Sequence, residues 1–188
     1  ADWSSKARIH MELEEYDEAL IASAACLSLD RQNGDAWAVK AQVLKDRPSE
    51  VKAALKAAIH AVALSAGGTE LILLKSDLLA ANGRSEEGRE SLISSLEANP
   101  ADSRLRAAMA AMSLQSGDLE GAGELLRATP LEAMGEPLIH IQWGRLHLAS
   151  ADLQRDGTGD TDMRLLLVAK ESFDEAVRQN REHGIAWL

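Results

Sequence analysis

Apolar residues along this chain recur at intervals of three and four, the spacing that places side chains on one face of an α-helix. In residues 13–30, for example, Tyr16, Ala19 and Cys26 share one face. Alternating Val, Ile and Thr of the kind found in β-strands is almost absent. The pattern predicts an all-α fold with ten helices and the start of an eleventh. The predicted helices cover residues 2–13, 16–30, 34–46, 48–66, 69–82, 85–98, 103–116, 118–128, 137–154 and 161–181.

The helical pattern itself repeats. Trp3 and Trp37 are 34 residues apart, and each is followed four residues later by an alanine, Ala7 or Ala41. Steps of about this length locate three rows of small residues: Ala7, Ala41, Ser76, Ala110 and Gly144; then Ala19, Ala54, Gly88, Ala122 and Ala169; then Cys26, Ala61, Ser95, Thr129 and Ala176. Small residues are required where two helices approach closely. The rows therefore predict the positions of the helix–helix contacts.

This repeat resembles the tetratricopeptide repeat, a helix–turn–helix unit of 34 residues with aromatic, Leu-Gly, Ala and Pro signature positions. The positions that match are Trp3, Trp37 and Trp187 at the tryptophan, Tyr16 and Phe173 at the other aromatics, Trp143-Gly144 at the Leu-Gly pair and Pro100 at the closing proline. Gly83 and Gly117 fall at the turns between paired helices. The resemblance covers essentially the whole chain.

The resemblance implies a right-handed α-solenoid of stacked antiparallel helix pairs, forming one domain over residues 1–188. Its units are expected at about 1–33, 34–68, 69–102, 103–136 and 137–183. The fifth unit carries an inserted loop at about 155–162, and the fourth has a short second helix that ends before Pro130. Residues 184–188, which include Trp187, are interpreted as the start of a truncated sixth unit.

Charge and composition narrow the possible partners. Thirty acidic residues against 20 Lys and Arg give a formal net charge of −10, which argues against nucleic-acid and anionic-lipid partners. No apolar run approaches the ~20 residues of a membrane span, so we expect no direct membrane insertion. The chain opens with ADWSSKARIH and shows no signal-peptide pattern. We expect it to be an excised part of a longer protein.

Two kinds of residue invite a chemical interpretation, and both favour packing. Cys26 belongs to the third small-residue row, where a buried structural thiol is expected rather than a reactive one. The single cysteine also excludes an internal disulfide. His140 and His147 are seven residues apart, whereas zinc-binding pairs on a helix stand at i and i+4. Both histidines are expected to pack beside Trp143.

The segment around residues 156–162 resembles a calcium loop, with Asp156, Asp160 and Asp162. It lacks the glycine after the third ligand, and Leu167 stands where the acidic twelfth residue should be. A flexible insertion ending in a helix cap, with Asp160 or Thr161 as the capping residue, is the favoured interpretation. No catalytic set of residues or phosphate-binding glycine loop is present, so we expect no enzyme activity, no cofactor and no metal.

In a solenoid of this kind, the surface that binds partners is usually the concave face, which the first helices line. Helical phase predicts that the lining is polar near the N-terminus and apolar near the C-terminus, where Leu114, Ile141 and Leu148 edge a groove. Such a groove suits a protein or peptide partner, above all an amphipathic helix. The alternative is that the protein's own helices cover this stripe. The predicted partner-binding residues are Arg8, Met11, Gln42, Lys45, Leu73, Asp77, Leu114, Ile141, Arg145 and Leu148.

The sequence therefore predicts a non-catalytic protein-binding scaffold or adaptor. The clamp of Lys, Asn and Arg with which family members grip chaperone tails is not matched, because Val39 and Leu74 stand at two of its positions. Two alternatives stay open. The chain is a regulatory or targeting region of a larger enzyme or secretion machine, or it is a scaffold that forms homo-oligomers through the apolar ends of the solenoid.

Overall fold

The helices predicted from the apolar spacing are all present. This computed structural model describes residues 2–64, 68–158 and 162–182. These residues contain ten α-helices and no strands. Helices α1 to α6 cover Trp3–Glu12, Tyr16–Leu29, Gly34–Leu44, Val51–Leu64, Thr69–Ala81 and Ser85–Ala98. Helices α7 to α10 cover Ser103–Gln115, Leu119–Arg127, Pro137–Thr158 and Met163–Glu182. The all-α prediction is confirmed. The predicted start of an eleventh helix, with Trp187, lies outside the described residues.

The chain divides into two compact units, Ala1–Leu92 and Ile93–Leu188, with the boundary inside α6. In the first unit α1 packs on α2 and α3 packs on α4, while α3 also contacts α1 and α2. In the second unit α7 packs on α8 and α9 on α10, while α9 also contacts α7 and α8. Each unit is therefore built from successive helix pairs that share a core with their neighbours.

The cores of both units are rich in alanine. In the first unit one core cluster lies between α1, α2 and α3, and a second lies between α3, α4 and α5; in the second unit a cluster joins α7, α8 and α9. Short side chains allow helix axes to approach to about 8 Å. The buried members are Ala7, Ala19, Ala22, Val39 and Val43; Ala41, Leu44, Ala54, Leu55, Ala57, Ala58, Leu78 and Leu79; and Ala107, Ala110, Ala122, Leu126, Ile139 and Leu146.

The three predicted rows of small residues lie at the helix contacts. Every member is buried except Ser95, which is half-buried. At Gly144 there is no room for a larger residue without movement, since a Cβ there would lie 2.6 Å from Cε1 of Phe173. At Gly88 a Cβ would lie 3.0 Å from Oγ of Ser76. The rows exist because a larger side chain would collide with the facing helix.

Left-handed backbone conformations occur at three equivalent turns between paired helices. Gly83 and Gly117 have φ angles of 74° and 79°, and Glu14 has a φ of 60°. Each stands five residues before a member of the second small-residue row. Glycine adopts this conformation without steric cost, while a residue with a Cβ does not. The turn positions predicted for Gly83 and Gly117 are confirmed, and Glu14 occupies the same position in the first repeat, between α1 and α2.

Two boundaries differ from the predictions. A 3-10 turn at Pro48–Glu50 precedes α4 where a continuous helix was predicted. The predicted insertion at 155–162 is helical through residue 158, because α9 continues to Thr158. An ion pair between Arg155 and Asp152, with 3.5 Å between Nη2 and Oδ1, supports this last turn. Helix α10 is capped by Asp162, whose carboxylate accepts the backbone N–H of Arg164 at 2.8 Å; the predicted capping residues, Asp160 and Thr161, lie outside the described residues.

Candidate functional site

Four of the predicted partner-binding residues line one cleft in the first unit. Gln42 and Lys45 come from α3 and its C-terminal end, and Leu73 and Asp77 come from α5. The cleft has a volume of about 510 Å³. We call it the α3–α5 cleft, and its remaining lining residues are Asp46, Glu70, Leu74, Leu78 and Ala81. Helices α3 and α5 are the first helices of adjacent pairs. They therefore bring together residues that are about one repeat apart in the sequence.

The α3–α5 cleft combines an apolar floor with a charged rim. Leu78 is buried, and Leu73 and Leu74 are half-buried. Asp77 is open to solvent, yet the surrounding protein partly desolvates its carboxyl group and raises its pKa, while the positive charge of Lys45 opposes that shift. With Asp46 and Glu70 the cleft holds three carboxylates against one ammonium group. It therefore favours a ligand with apolar side chains and a positive or neutral charge.

A second cleft lies in the second unit, between the start of α9 and the end of α10. Ile141, a predicted partner-binding residue, lines it together with Leu138, Phe173 and Val177. Its volume is about 600 Å³. We call it the α9–α10 cleft; Pro137 and Ala176 complete its apolar lining, and Arg104, Glu136 and Asn180 supply the polar groups. The surface that it offers is much more apolar than that of the α3–α5 cleft.

Part of the α9–α10 cleft was not predicted from the sequence. Phe173 and Ala176 were assigned to helix-packing positions, and they do pack, but each also presents part of its side chain to the cleft. The sequence did contain a sign of this cleft, because α10 has more apolar positions than one packing face requires. An amphipathic pattern cannot distinguish an apolar side chain that is covered from one that borders an open cleft.

The other five predicted residues line neither cleft. Arg8 and Arg145 are exposed, and Leu148 keeps 43% of its surface open to solvent. Met11 is half-buried against the core cluster of the first three helices, and Leu114 is half-buried against the core of the second unit. The role of all ten residues in binding stays a prediction, but five of them now have a defined cleft around them.

The thiol and one of the two imidazoles singled out in the sequence serve packing. Cys26 is buried, and burial raises the pKa of its thiol, which disfavours the reactive thiolate. The ring of His147 stacks on Trp143 with 5.6 Å between centroids, and burial lowers the pKa of His147. Among the described residues, no three or more His, Cys, Asp or Glu side chains cluster in a way that could hold a metal ion.

Two further features concern the environment of the chain. In residues 2–64, 68–158 and 162–182, no helix combines the length and the apolar character that crossing a bilayer requires. Asp156 and Asp160, two members of the segment that resembles a calcium loop, lie outside the residues whose side chains the structure describes. The third, Asp162, is the helix cap of α10.

Comparison with known proteins finds one family match over part of the chain and several solved structures of similar fold. Residues 3–33 match the Tetratricopeptide repeat family, and no curated protein matches the chain. Among solved structures, the chain is similar to MamA, with 14% identity, a TM-score of 0.67 and coverage of 99% of this chain and 96% of MamA. It is similar to YrrB, described as a TPR protein with an unusual peptide-binding site, with 16% identity, a TM-score of 0.65 and coverage of 96% and 86%.

The chain is also similar to part of human IFIT1, solved as a dimer with m7Gppp-AAAA, with 20% identity and a TM-score of 0.65. That match covers 88% of this chain but only 38% of IFIT1. At such identities a likeness shows the fold alone. The fold is that of tetratricopeptide-repeat proteins, and the resemblance predicted from the sequence is confirmed.

Proposed function

We propose that this chain, a tetratricopeptide-repeat protein, is a non-catalytic scaffold that binds a peptide or helix of a partner protein. The fold supports protein-interaction scaffolds in general, because stacked helix pairs offer an extended surface to a ligand. The observation that carries the specific proposal is the α3–α5 cleft. In it, Gln42, Lys45, Leu73 and Asp77, chosen from helical phase alone, line one depression.

The composition of the two clefts favours a protein ligand. Recognition of a helix or peptide in a groove requires apolar anchoring sites with a few polar groups that fix orientation. Leu73 and Leu74 provide the anchoring site of the α3–α5 cleft, and Asp77 and Lys45 provide the orienting charges. The α9–α10 cleft offers Ile141 and other apolar side chains to a second anchor. The YrrB structure, described as having a peptide-binding site, is a precedent for peptide binding on this fold.

RNA is the competing ligand class, since IFIT1 of the same fold was solved with m7Gppp-AAAA. Phosphate recognition depends on lysine and arginine side chains that neutralise the backbone. The α3–α5 cleft instead holds Asp46, Glu70 and Asp77 against Lys45, and the chain carries a net charge of −10. These carboxylates would repel a phosphate backbone, so we favour the protein ligand.

The experiment compares partner capture by the natural sequence and by two cleft variants, Leu73→Asp and Ile141→Asp. Each variant places a charge on an apolar anchor, and we expect affinity for a directly bound partner to fall by about tenfold or more. Ile21→Asp is the matched control, because Ile21 lies on α2, lines neither cleft and is 68% exposed. Circular dichroism should show that the helical content of all three variants is unchanged.

Candidates that the cleft variants lose and the control retains are purified, and their affinities are measured by calorimetry. A partner that binds the natural sequence, Leu73→Asp and Ile141→Asp equally would refute the cleft proposal. Binding of a capped oligoribonucleotide that is lost in Leu73→Asp would replace the protein ligand with RNA.

A further inference from the structure

A third depression in the first unit has the opposite electrostatic character. Lys52, Lys56 and His60 follow one another at intervals of four along α4, so they project from neighbouring positions on one side of that helix. They line a pocket of about 400 Å³ together with Leu55 and Ile59 of the same helix. Asn82 and Arg84, from the turn between α5 and α6, close its other side. We call this the basic pocket; it shares no lining residue with the α3–α5 cleft.

Two cations of the basic pocket, Lys52 and Lys56, are not neutralised. No carboxylate lines it, and α4 contains no acidic residue in VKAALKAAIHAVAL. Within the described residues, Lys52 and Lys56 make neither an ion pair nor a hydrogen bond. Like charges at i and i+4 on a helix repel each other. Two unpaired lysines one turn apart are therefore a local electrostatic cost that a bound anion would relieve.

Two other lysines of the chain have polar partners. Lys170 pairs with Asp174 at 2.6 Å between Nζ and Oδ2, and Lys75 donates to Oγ of Ser91 at 3.2 Å. Arg84, at the edge of the basic pocket, is already held by two hydrogen bonds of 2.6 Å to the carboxylate of Glu87. The charge available to a ligand therefore comes mainly from the two lysines of α4.

The walls of the basic pocket are well defined. The ring of His60 stacks on Trp37, with centroids 4.7 Å apart and an angle of 27° between planes. The indole of Trp37 is itself fixed, since its Nε1–H donates to the carbonyl of Arg31 at 2.9 Å. Ile59 keeps 38% of its surface open to solvent and Leu55 is buried, so the floor between the lysines is apolar. A preorganised wall reduces the entropy that binding would cost.

We propose that the basic pocket is a second binding site, separate from the α3–α5 cleft, for an acidic segment of a protein. The segment would carry two carboxylates spaced to meet Lys52 and Lys56, which lie roughly 6 Å apart along the helix axis, and an apolar side chain between them. That apolar side chain would rest on Leu55 and Ile59. The apolar floor is what favours a peptide over a polyphosphate or a nucleic acid, because a phosphate backbone would leave it uncovered.

The test uses a short fluorescein-labelled peptide with glutamates one helical turn apart and leucines between them. Fluorescence anisotropy measures its binding to the whole chain at low salt. The Lys52→Gln/Lys56→Gln variant should bind it roughly five- to tenfold more weakly, as expected for the loss of two exposed ion pairs. Lys6→Gln/Lys170→Gln removes the same charge elsewhere and should change the affinity less than about twofold.

Three further measurements make the result decisive. The same peptide with glutamine in place of glutamate should bind no better to the natural sequence than to the Lys52→Gln/Lys56→Gln variant. Leu73→Asp, in the α3–α5 cleft, should leave binding of the acidic peptide unchanged. Failure of the basic-pocket proposal can therefore be distinguished from failure of the proposal for the α3–α5 cleft. The proposal is overturned if the Lys52→Gln/Lys56→Gln and Lys6→Gln/Lys170→Gln variants lose the same affinity for the peptide, or if no peptide binds. It is also overturned if labelled oligouridylate binds more tightly than the peptide and its binding depends on Lys52 and Lys56.

Discussion

Replacing Gly144 with alanine tests whether the small-residue rows exist because helices touch there. A Cβ at this position would lie 2.6 Å from Cε1 and 2.7 Å from Cζ of Phe173, whereas carbon atoms that are not bonded prefer separations of about 3.5–4.0 Å. The ring or the helix must therefore move. Adding one methyl group to a well-packed core typically costs about 1–3 kcal/mol.

Helix propensity acts in the opposite direction and sets the size of the net effect. Alanine in a helix interior is favoured over glycine by about 1 kcal/mol. Subtracting this gain from the overpacking cost leaves a net destabilisation of about 0–2 kcal/mol. Because three ring carbons fall below 3.0 Å from the added Cβ, we expect the upper half of that range, about 1–2 kcal/mol.

The assay is urea denaturation followed by circular dichroism, applied to Gly144→Ala alone and in a Phe173→Leu background. In that background the smaller side chain should remove the collision, so the same substitution should stabilise by up to about 1 kcal/mol. The change of sign corresponds to a coupling free energy of about 2 kcal/mol. Gly123→Ala in α8 is the matched control, since its added Cβ meets only the flexible end of Arg127. If Gly144→Ala stabilises the natural sequence as Gly123→Ala does, the steric explanation is refuted.

Three other perturbations follow from the structure. Glu14→Gly should raise the free energy of unfolding by about 0.5–1 kcal/mol, because Glu14 adopts a φ of 60° that glycine tolerates better. Arg106→Met should lower it by about 2–4 kcal/mol, because the buried guanidinium donates to the carbonyls of Leu125 at 3.2 Å and Pro100 at 2.7 Å near helix ends. Asp77→Asn should stabilise the chain at pH 7, since the raised pKa of Asp77 means that folding favours its neutral form, and this gain should vanish below the ordinary pKa of 3.8.

Each of these predictions has its own control, measured by urea denaturation under the same conditions. Glu12→Gly, at the end of α1, should destabilise because that residue is helical; a gain there equal to that of Glu14→Gly would contradict the turn argument. Arg89→Met removes an exposed guanidinium and should cost less than about 0.5 kcal/mol. For Asp77→Asn, a gain that persists unchanged at acid pH would show that the charge of the carboxylate is not its cause.

The helices and their contacts are the part of this protein that its sequence determined alone. The apolar spacing placed each of the ten helices to within a few residues of its observed ends, and the 34-residue period located small residues such as Ala7 and Gly144 at helix contacts. Both features are local or periodic. Helical phase follows from 3.6 residues per turn, and a contact that recurs in every pair leaves the same size constraint in every repeat.

The depressions between helices depend on the tertiary structure. Helical phase selected Gln42 and Asp77 for the same face, yet only the tertiary structure shows that they line one cleft, while Leu148 lines neither of the two clefts. The spacing of Lys52 and Lys56 is visible in the sequence, but Asn82 and Arg84 reach their pocket through the following helix pair.

The same distinction explains the buried arginine and the extended helix. An arginine is ordinarily expected at the surface, and Arg106 is buried because folding brings the carbonyls of Leu125 and Pro100 to its guanidinium. Helix α9 continues to Thr158 although the sequence predicted a loop from about residue 155. Periodicity reports which face of a helix is apolar. It does not report which groups contact that face, or whether the face is covered or borders an open cleft. Both depend on residues that are distant in the chain and are decided only when the helices pack.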